Sequence, residues 1–401
     1  MSVGTGARST GRTAAAAASP AFLLPAAYCY FFRLLARYNA RVTCVGFFGL
    51  PGCGKSTVFH ALTRQAIAPQ FLGYDLKPHQ AVVKNPEARL EHLAKYYKSR
   101  AVVYATMEFL DIPGIDPAQT EQKLMAAVLD HYRRVDALAL VVNLFSREQG
   151  PQAAAVGMRS LLDELLLIDL LAAEKHGGSA AKLAQLKTDR ESAARRDLLA
   201  RMKEQFEDGV PLRAMGLSAE EEKSVRELGW LTGKPVIAVL NVADDDLAKP
   251  DDEITGLPEV LALAEGEGIV TVRMAAALEA ALVDLDSAEA AEYMAEFGVS
   301  EPALPRFIRT AYECLGLITY LTGSEKECRA WSLKRGSNAQ QAAGVIHSDL
   351  ARGFIRAETV AFSDFVQYKD MAAAKAAGKV RLEGKEYVVA DGDILLIRFN
   401  V

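Results

Sequence analysis

Gly49, Leu50, Pro51, Gly52, Cys53, Gly54, Lys55 and Ser56 follow the pattern G-x-x-x-x-G-K-S, with Thr57 next in the chain. Each residue type has a chemical reason. Glycines let backbone N–H groups turn inward around phosphate oxygens, and the start of a helix adds partial positive charge. Gly49, Pro51, Gly52, Cys53, Gly54 and Thr57 are therefore expected to line bound phosphates. Lys55 is expected to reach the β and γ phosphates as the catalytic cation, and Ser56 to ligate Mg²⁺. Further along, Asp111, Ile112, Pro113 and Gly114 make D-x-x-G, in which the aspartate holds Mg²⁺ through water and the Gly114 N–H meets the γ phosphate. Asn241, Val242, Ala243 and Asp244 have the N-x-x-D spacing of a loop that reads a nucleotide base. Asn241, Val242 and Asp244 are the residues expected to form it.

These residues need a scaffold, and the hydrophobic pattern supplies one. Val42 to Phe48 is an apolar run that stops at Gly49, and a helix-like stretch follows from Lys55 to Gln65. Similar strand-like runs occur at Val102 to Ile112, Ala137 to Phe145, Val236 to Asn241 and Ile269 to Val272. Several are apolar without alternation, as strands covered on both faces are. The expected fold is α/β, a parallel sheet with helices on both sides. Residues 42–150 and 230–304 are assigned to this nucleotide-binding domain.

Residues 151–229 change to helical spacing. Leu161, Leu162, Leu165, Ile168, Leu171 and Ala172 mark one apolar stripe. Leu183, Leu186, Ala193, Leu198, Met202 and Phe206 mark a second, and Gly177 with Gly178 separates the two. Two antiparallel helices joined at that glycine pair are predicted, an inserted helical hairpin. Ser218 and Glu221 have capping-box spacing and start a shorter helix that ends near Trp230. Residues 305–401 begin with a helix-like stretch from Arg306 to Cys314 and continue as short apolar segments punctuated by glycines, the pattern of a small mixed sheet.

Composition sets outer limits. Among 401 residues, 46 basic side chains against 51 acidic ones leave a net charge of -5, which removes the case for bulk electrostatic attachment to DNA. Residues 305–401 carry 14 basic and 11 acidic side chains, so an RNA footprint there is permitted without being demanded. Five cysteines with no Cys-x-x-Cys suggest neither a disulfide framework nor a zinc site, and a reducing cytoplasm fits them best. Residues 1–41 contain five arginines and no acid, and their apolar run from Ala21 to Phe32 is interrupted by Pro25. That run falls short of the roughly 20 residues a membrane span needs. The segment is read as a disordered extension that the fold can do without, or as the product of a start codon placed too far upstream, with a targeting peptide as the alternative.

With these motifs in order, the chain resembles the YchF or Obg-like ATPase family of translation-factor-class P-loop proteins. The likeness runs from Val42 onward. It is most specific at Arg329–Ala330–Trp331, at Gln341 to His347, at Gly353 to Glu358 and at Asp391 to Val401. It implies a TGS-type, ubiquitin-like β-grasp domain at the C-terminus, a helical hairpin inserted in the nucleotide domain, ATP or GTP as bound nucleotide, and a ribosome or ribosomal RNA as partner. The chain departs from the family in its switch. Ile115 to Met125 lacks the family's glycines and the histidine credited with hydrolysis. Gln119 is the residue expected to orient water in its place, with Gln122 as the other candidate. Asp244 stands where the family usually has Glu, and Val242 where a lysine usually covers the base, so the choice between ATP and GTP stays open. The rival reading is a nucleotide-binding regulatory module that does not hydrolyse.

Overall fold

The computed structural model describes residues 42–65, 78–112, 122–146, 150–186 and 190–400. The expectations for residues 1–41, for Gly114 and for Gln119 lie outside them. Strand β1 (Thr43–Phe48) is buried along its whole length and leads through the glycine loop into helix α1 (Lys55–Thr63). Next come β2 (His79–Lys84), α2 (Ala88–Tyr97), β3 (Ala101–Val103), β4 (Thr106–Asp111), α3 (Gln122–Arg134) and β5 (Ala137–Leu144). The hairpin helices are α4 (Ala153–Leu186) and α5 (Arg190–Glu207), followed by α6 (Ala219–Val225). The chain then returns through β6 (Val236–Val242), α7 (Leu257–Gly266), β7 (Val270–Met274), α8 (Ala276–Ala281), α9 (Ser287–Glu296) and α10 (Ala303–Leu315).

The first sheet has the order β2-β4-β1-β5-β6-β7. All its pairings are parallel except β2 against β4, which run antiparallel from His79↔Asp111 to Lys84↔Thr106. The sheet is thus parallel with one antiparallel edge, and β2 has no counterpart in the sequence reading. Its alternation of buried and exposed residues is that of an edge strand. Alternate residues of the inner strands enter two cores. Val45, Phe47, Phe109 and Val141 meet α1 and α10, while Phe48, Leu110, Leu140 and Val142 meet α3 and α4. Phe307 of α10 stacks on Phe47 at 5.5 Å and meets Phe109 edge-on at 5.4 Å. Burying such a ring contributes on the order of 2–3 kcal/mol. The helix expected to open the C-terminal region therefore closes one face of the first sheet instead.

Two further expectations change. The run from Val102 to Ile112 is two strands, because the chain switches sheets at Tyr104 and Ala105: β3 pairs with the second sheet and β4 with the first. Helix α4 runs straight through Gly177 and Gly178 as far as Leu186, so the turn expected at that glycine pair does not form there. Two helical glycines cost about 2 kcal/mol relative to alanine, and Leu166, Leu170 and Ala173 offset this by packing with Leu198, Leu199 and Met202 of α5. Lys203 of α5 meets Glu174 of α4 at 3.1 Å.

The root of the hairpin is firmly held. Met158, Leu161, Leu162 and Leu165 of α4 belong to the core beneath the first sheet. Asp169, 2 % exposed, accepts the backbone N–H groups of Leu231 and Thr232 and the Thr232 hydroxyl, at 2.6–3.0 Å. Burial pushes its carboxyl up, and those three donors oppose the push. The capping box of Ser218 and Glu221 forms as expected.

Strands β8 (Leu317–Gly323) and β9 (Glu327–Lys334) open the second sheet. Helices α11 (Ala339–Ile346) and α12 (Ser348–Arg352), strand β10 (Phe354–Ala361), helices α13 (Phe362–Tyr368) and α14 (Met371–Ala376), and strands β11 (Arg381–Glu383) and β12 (Asp393–Phe399) complete it. Its order is β11-β10-β12-β8-β9-β3. Helix α11 packs through Ala342 on Ile318, Tyr320 and Leu395, the mixed sheet crossed by a helix that a β-grasp domain requires. Among the described residues no helix is long and apolar enough to cross a membrane.

Candidate functional site

The phosphate loop is shaped by what its glycines exclude. Gly52 and Gly54 have φ of 77° and 84°, a region that favours glycine. A Cβ on Gly54 would also run into the Asn241 amide. The loop closes through Cys53 N–H donating to Leu50 O at 3.2 Å, and α1 begins with Val58 N–H donating to Gly54 O at 2.9 Å. No side chain caps α1, and its first turn carries no acid. Its leading amides therefore keep their capacity for an anion. Pro51 and Gly52 are exposed at the rim, and Thr57 is half-buried in the first turn.

Lys55 and Ser56 both turn to one carboxylate. Lys55 Nζ forms an ion pair with Asp111 Oδ1, and Ser56 Oγ donates to Asp111 Oδ2 at 3.1 Å. Asp111 ends β4, is 3 % exposed, and lies beside the loop because Phe47 of β1 pairs with it in register. Cys53 is 3 % exposed, and burial pushes its thiol up, so it is a packed loop residue rather than a nucleophile. With Leu50 and Pro51 it lines a cavity of about 70 Å³ against Val141, Asn143 and the first turns of α4.

Asn241 ties three segments together. Its Nδ2 donates to Cys53 O at 3.1 Å, and its Oδ1 accepts the Ala276 N–H at 3.0 Å. Asp244 accepts the Leu278 N–H at 3.2 Å through Oδ1. The start of α8 is thereby held beside the phosphate loop by the residues expected to read a base. Val242 corrects the sequence reading: its side chain is 2 % exposed and packs in the core under the sheet, because it alternates with Asn241 along β6. Ala275, Ala276 and Ala277 are not among the residues expected from the sequence to form the site. Their side chains have nothing to offer a polar partner, and it is the Ala276 backbone amide that is used.

This geometry has known relatives. A family model for C-terminal domains of YchF-type GTPases, described as a protein of unknown function (DUF933), matches residues 317–400. A second, described as a 50S ribosome-binding GTPase, matches residues 44–175. The chain is 38% identical over 363 residues to the Ribosome-binding ATPase YchF of Bacillus subtilis, covering 89% of this chain and 99% of that protein. The chain belongs to the YchF family. The Escherichia coli O157:H7 YchF is 39% identical over the same coverage. The solved structure of the Schizosaccharomyces pombe YchF GTPase superposes with a TM-score of 0.77 at 30% identity, covering 90% of this chain and 98% of that one. As a YchF-family P-loop protein the chain binds a nucleotide.

Proposed function

We propose that this protein is a ribosome-associated nucleoside triphosphatase of the cytoplasm, using ATP before GTP, whose intrinsic turnover is slow. The observation that carries the reading is the convergence of Lys55, Ser56 and Asp111 at the uncapped start of α1. Lys55 is to exchange its Asp111 partner for phosphate oxygens, while the loop amides bind the β phosphate. A hydroxyl beside a carboxylate suits a hard, oxygen-seeking cation, so Ser56 and Asp111 would hold Mg²⁺, which neutralises charge on the phosphates. Asn241 fixes the loop, and Asp244 retains its second carboxylate oxygen for a base. Gln119 is assigned the water, and Gly114 the γ phosphate. The ribosome enters from the relatives, two of which carry ribosome binding in their names.

Slow turnover follows from the switch. A glutamine one residue after the D-x-x-G glycine would orient water, but Ile115 stands there. The test is calorimetry with ATP and GTP side by side, with and without Mg²⁺, followed by phosphate release in the presence and absence of ribosomes. Absence of binding to either nucleotide refutes the reading. Binding without phosphate release under either condition identifies a regulatory module that does not hydrolyse.

A further inference from the structure

The antiparallel β2–β4 pair joins the nucleotide site to the second sheet. At one end Asp111 pairs with His79 and holds Lys55 and Ser56. Each strand has six residues, about 20 Å of ladder. At the other end the Asn85 N–H donates to Ala105 O at 2.8 Å, and the chain between them leaves the first sheet altogether. Its α2 buries Leu90 and Leu93 against Leu321, Val360 and Phe365 of the C-terminal domain. Its β3 adds a parallel strand to β9, from Ala101↔Glu327 to Val103↔Arg329.

Arg89 is the polar rivet of this joint. Its guanidinium meets Glu87 through two bonds of 2.7 Å and donates to Asp391 Oδ2 at 2.7 Å. Asp391 in turn accepts the Thr319 N–H of β8 at 2.8 Å. The approach is close enough that a Cβ on Gly392 would stand 2.6 Å from the Arg89 Nη1, so a side chain there would displace the guanidinium. The loop between two strands of the nucleotide sheet is thus an integral part of the other sheet, and only Tyr104 and Ala105 separate β3 from β4.

We infer that nucleotide occupancy and the seating of the C-terminal sheet are energetically coupled through α2 and β3, with Arg89 as the positioning residue. Nucleotide phosphates compete with Asp111 for Lys55, which changes what holds the end of β4. The strand pair carries that change to its far end, where α2 and β3 follow the second sheet. Linkage makes the effect reciprocal: loosening the joint must alter nucleotide affinity. The inference rests on the nucleotide site proposed above.

The experiment measures ATP and GTP affinity of the full chain for wild type, Arg89→Ala, Asp391→Asn and the double variant, with hydrogen exchange at β9 in each. Asp391→Asn keeps an acceptor for Thr319 N–H and removes only the charge, so it remains informative if Arg89→Ala folds poorly. Wild-type β9 amides are expected to change protection when nucleotide saturates the site. Each single variant is expected to shift affinity about fivefold or more, and the double variant no further than the larger single one. Unchanged β9 exchange on nucleotide binding, or affinities within twofold of wild type while β9 exchange rises in the variants, overturns the coupling. If wild type binds neither nucleotide, it is the phosphate-loop reading that fails.

Discussion

Replacing Asn241 by alanine removes two hydrogen bonds at once, to Cys53 O at 3.1 Å and from Ala276 N–H at 3.0 Å. The side chain is 4 % exposed, so water cannot readily take its place. Two net bonds are worth about 2 kcal/mol, and stranding a buried carbonyl and amide raises the cost to about 4 kcal/mol. Part of that loss falls on the phosphate loop itself, because the carbonyl of Cys53 sits between the glycines that shape it. Asn241→Ala is therefore expected to lower the thermal midpoint by several degrees and to weaken triphosphate binding at least tenfold. Asn241→Asp separates the two contacts: it keeps an acceptor for Ala276 but sets a carboxylate against the Cys53 carbonyl. Scanning calorimetry and nucleotide titration of both variants decide the matter. An alanine variant with wild-type midpoint and affinity would refute the clamp.

Lys55→Ala is expected to abolish tight triphosphate binding, since the phosphates lose their cation and the buried Asp111 loses its ion-pair partner; unchanged affinity in the calorimeter would sink the phosphate loop. Lys334 is 6 % exposed, and burial lowers its amine from 10.5 to about 8. The folded state then penalises the ammonium fully below pH 8, and the penalty fades as pH rises to 10.5. Lys334 Nζ also donates to Leu315 O, a bond that Lys334→Met removes at every pH, so the stability of the variant relative to wild type is expected to fall as pH rises from 8 to 10.5; urea midpoints across the range check this, and a difference constant with pH contradicts it. Phosphate release by the isolated protein is expected below the 1–100 per second of kinases, roughly under 1 per second. Fast release that survives Gln119→Ala and Gln122→Ala overturns the reading of the switch.

The geometry of the loop from Gly49 to Ser56 is legible in the sequence because it is local. Gly49 to Ser56 is contiguous, and its strand and helix adjoin it, so one stretch of chain fixes the geometry. The hydrophobic runs of β1, β5 and β6 are legible for a similar reason, since burial on both faces leaves no room for polar alternation. Long-range pairing is not legible. Nothing in Ala101 to Asp111 says that its two halves serve different sheets, because an apolar strand has the same spelling whichever partner it meets. The course of α10 over the first sheet is hidden likewise: its apolar stripe announces a buried face without naming the surface that buries it. The roles of Asn241 and Ala276 stay invisible because one depends on a backbone amide, which every residue but proline possesses.

The rooted hairpin separates two kinds of evolutionary freedom. Helix α4 has 34 residues, about 51 Å of rod, and Ala173 is the last of its described side chains to be buried. Up to that point substitution is constrained by the core and by the Asp169 bonds to Leu231 and Thr232. Past it, Glu174 to Ser179 face solvent fully or in part. Whole turns added to or removed from both arms beyond Ala173 would preserve the stripe that joins α4 to α5 and leave the phosphate loop unmoved. The length of the two arms beyond Ala173 is therefore decoupled from the geometry of the loop between β1 and α1.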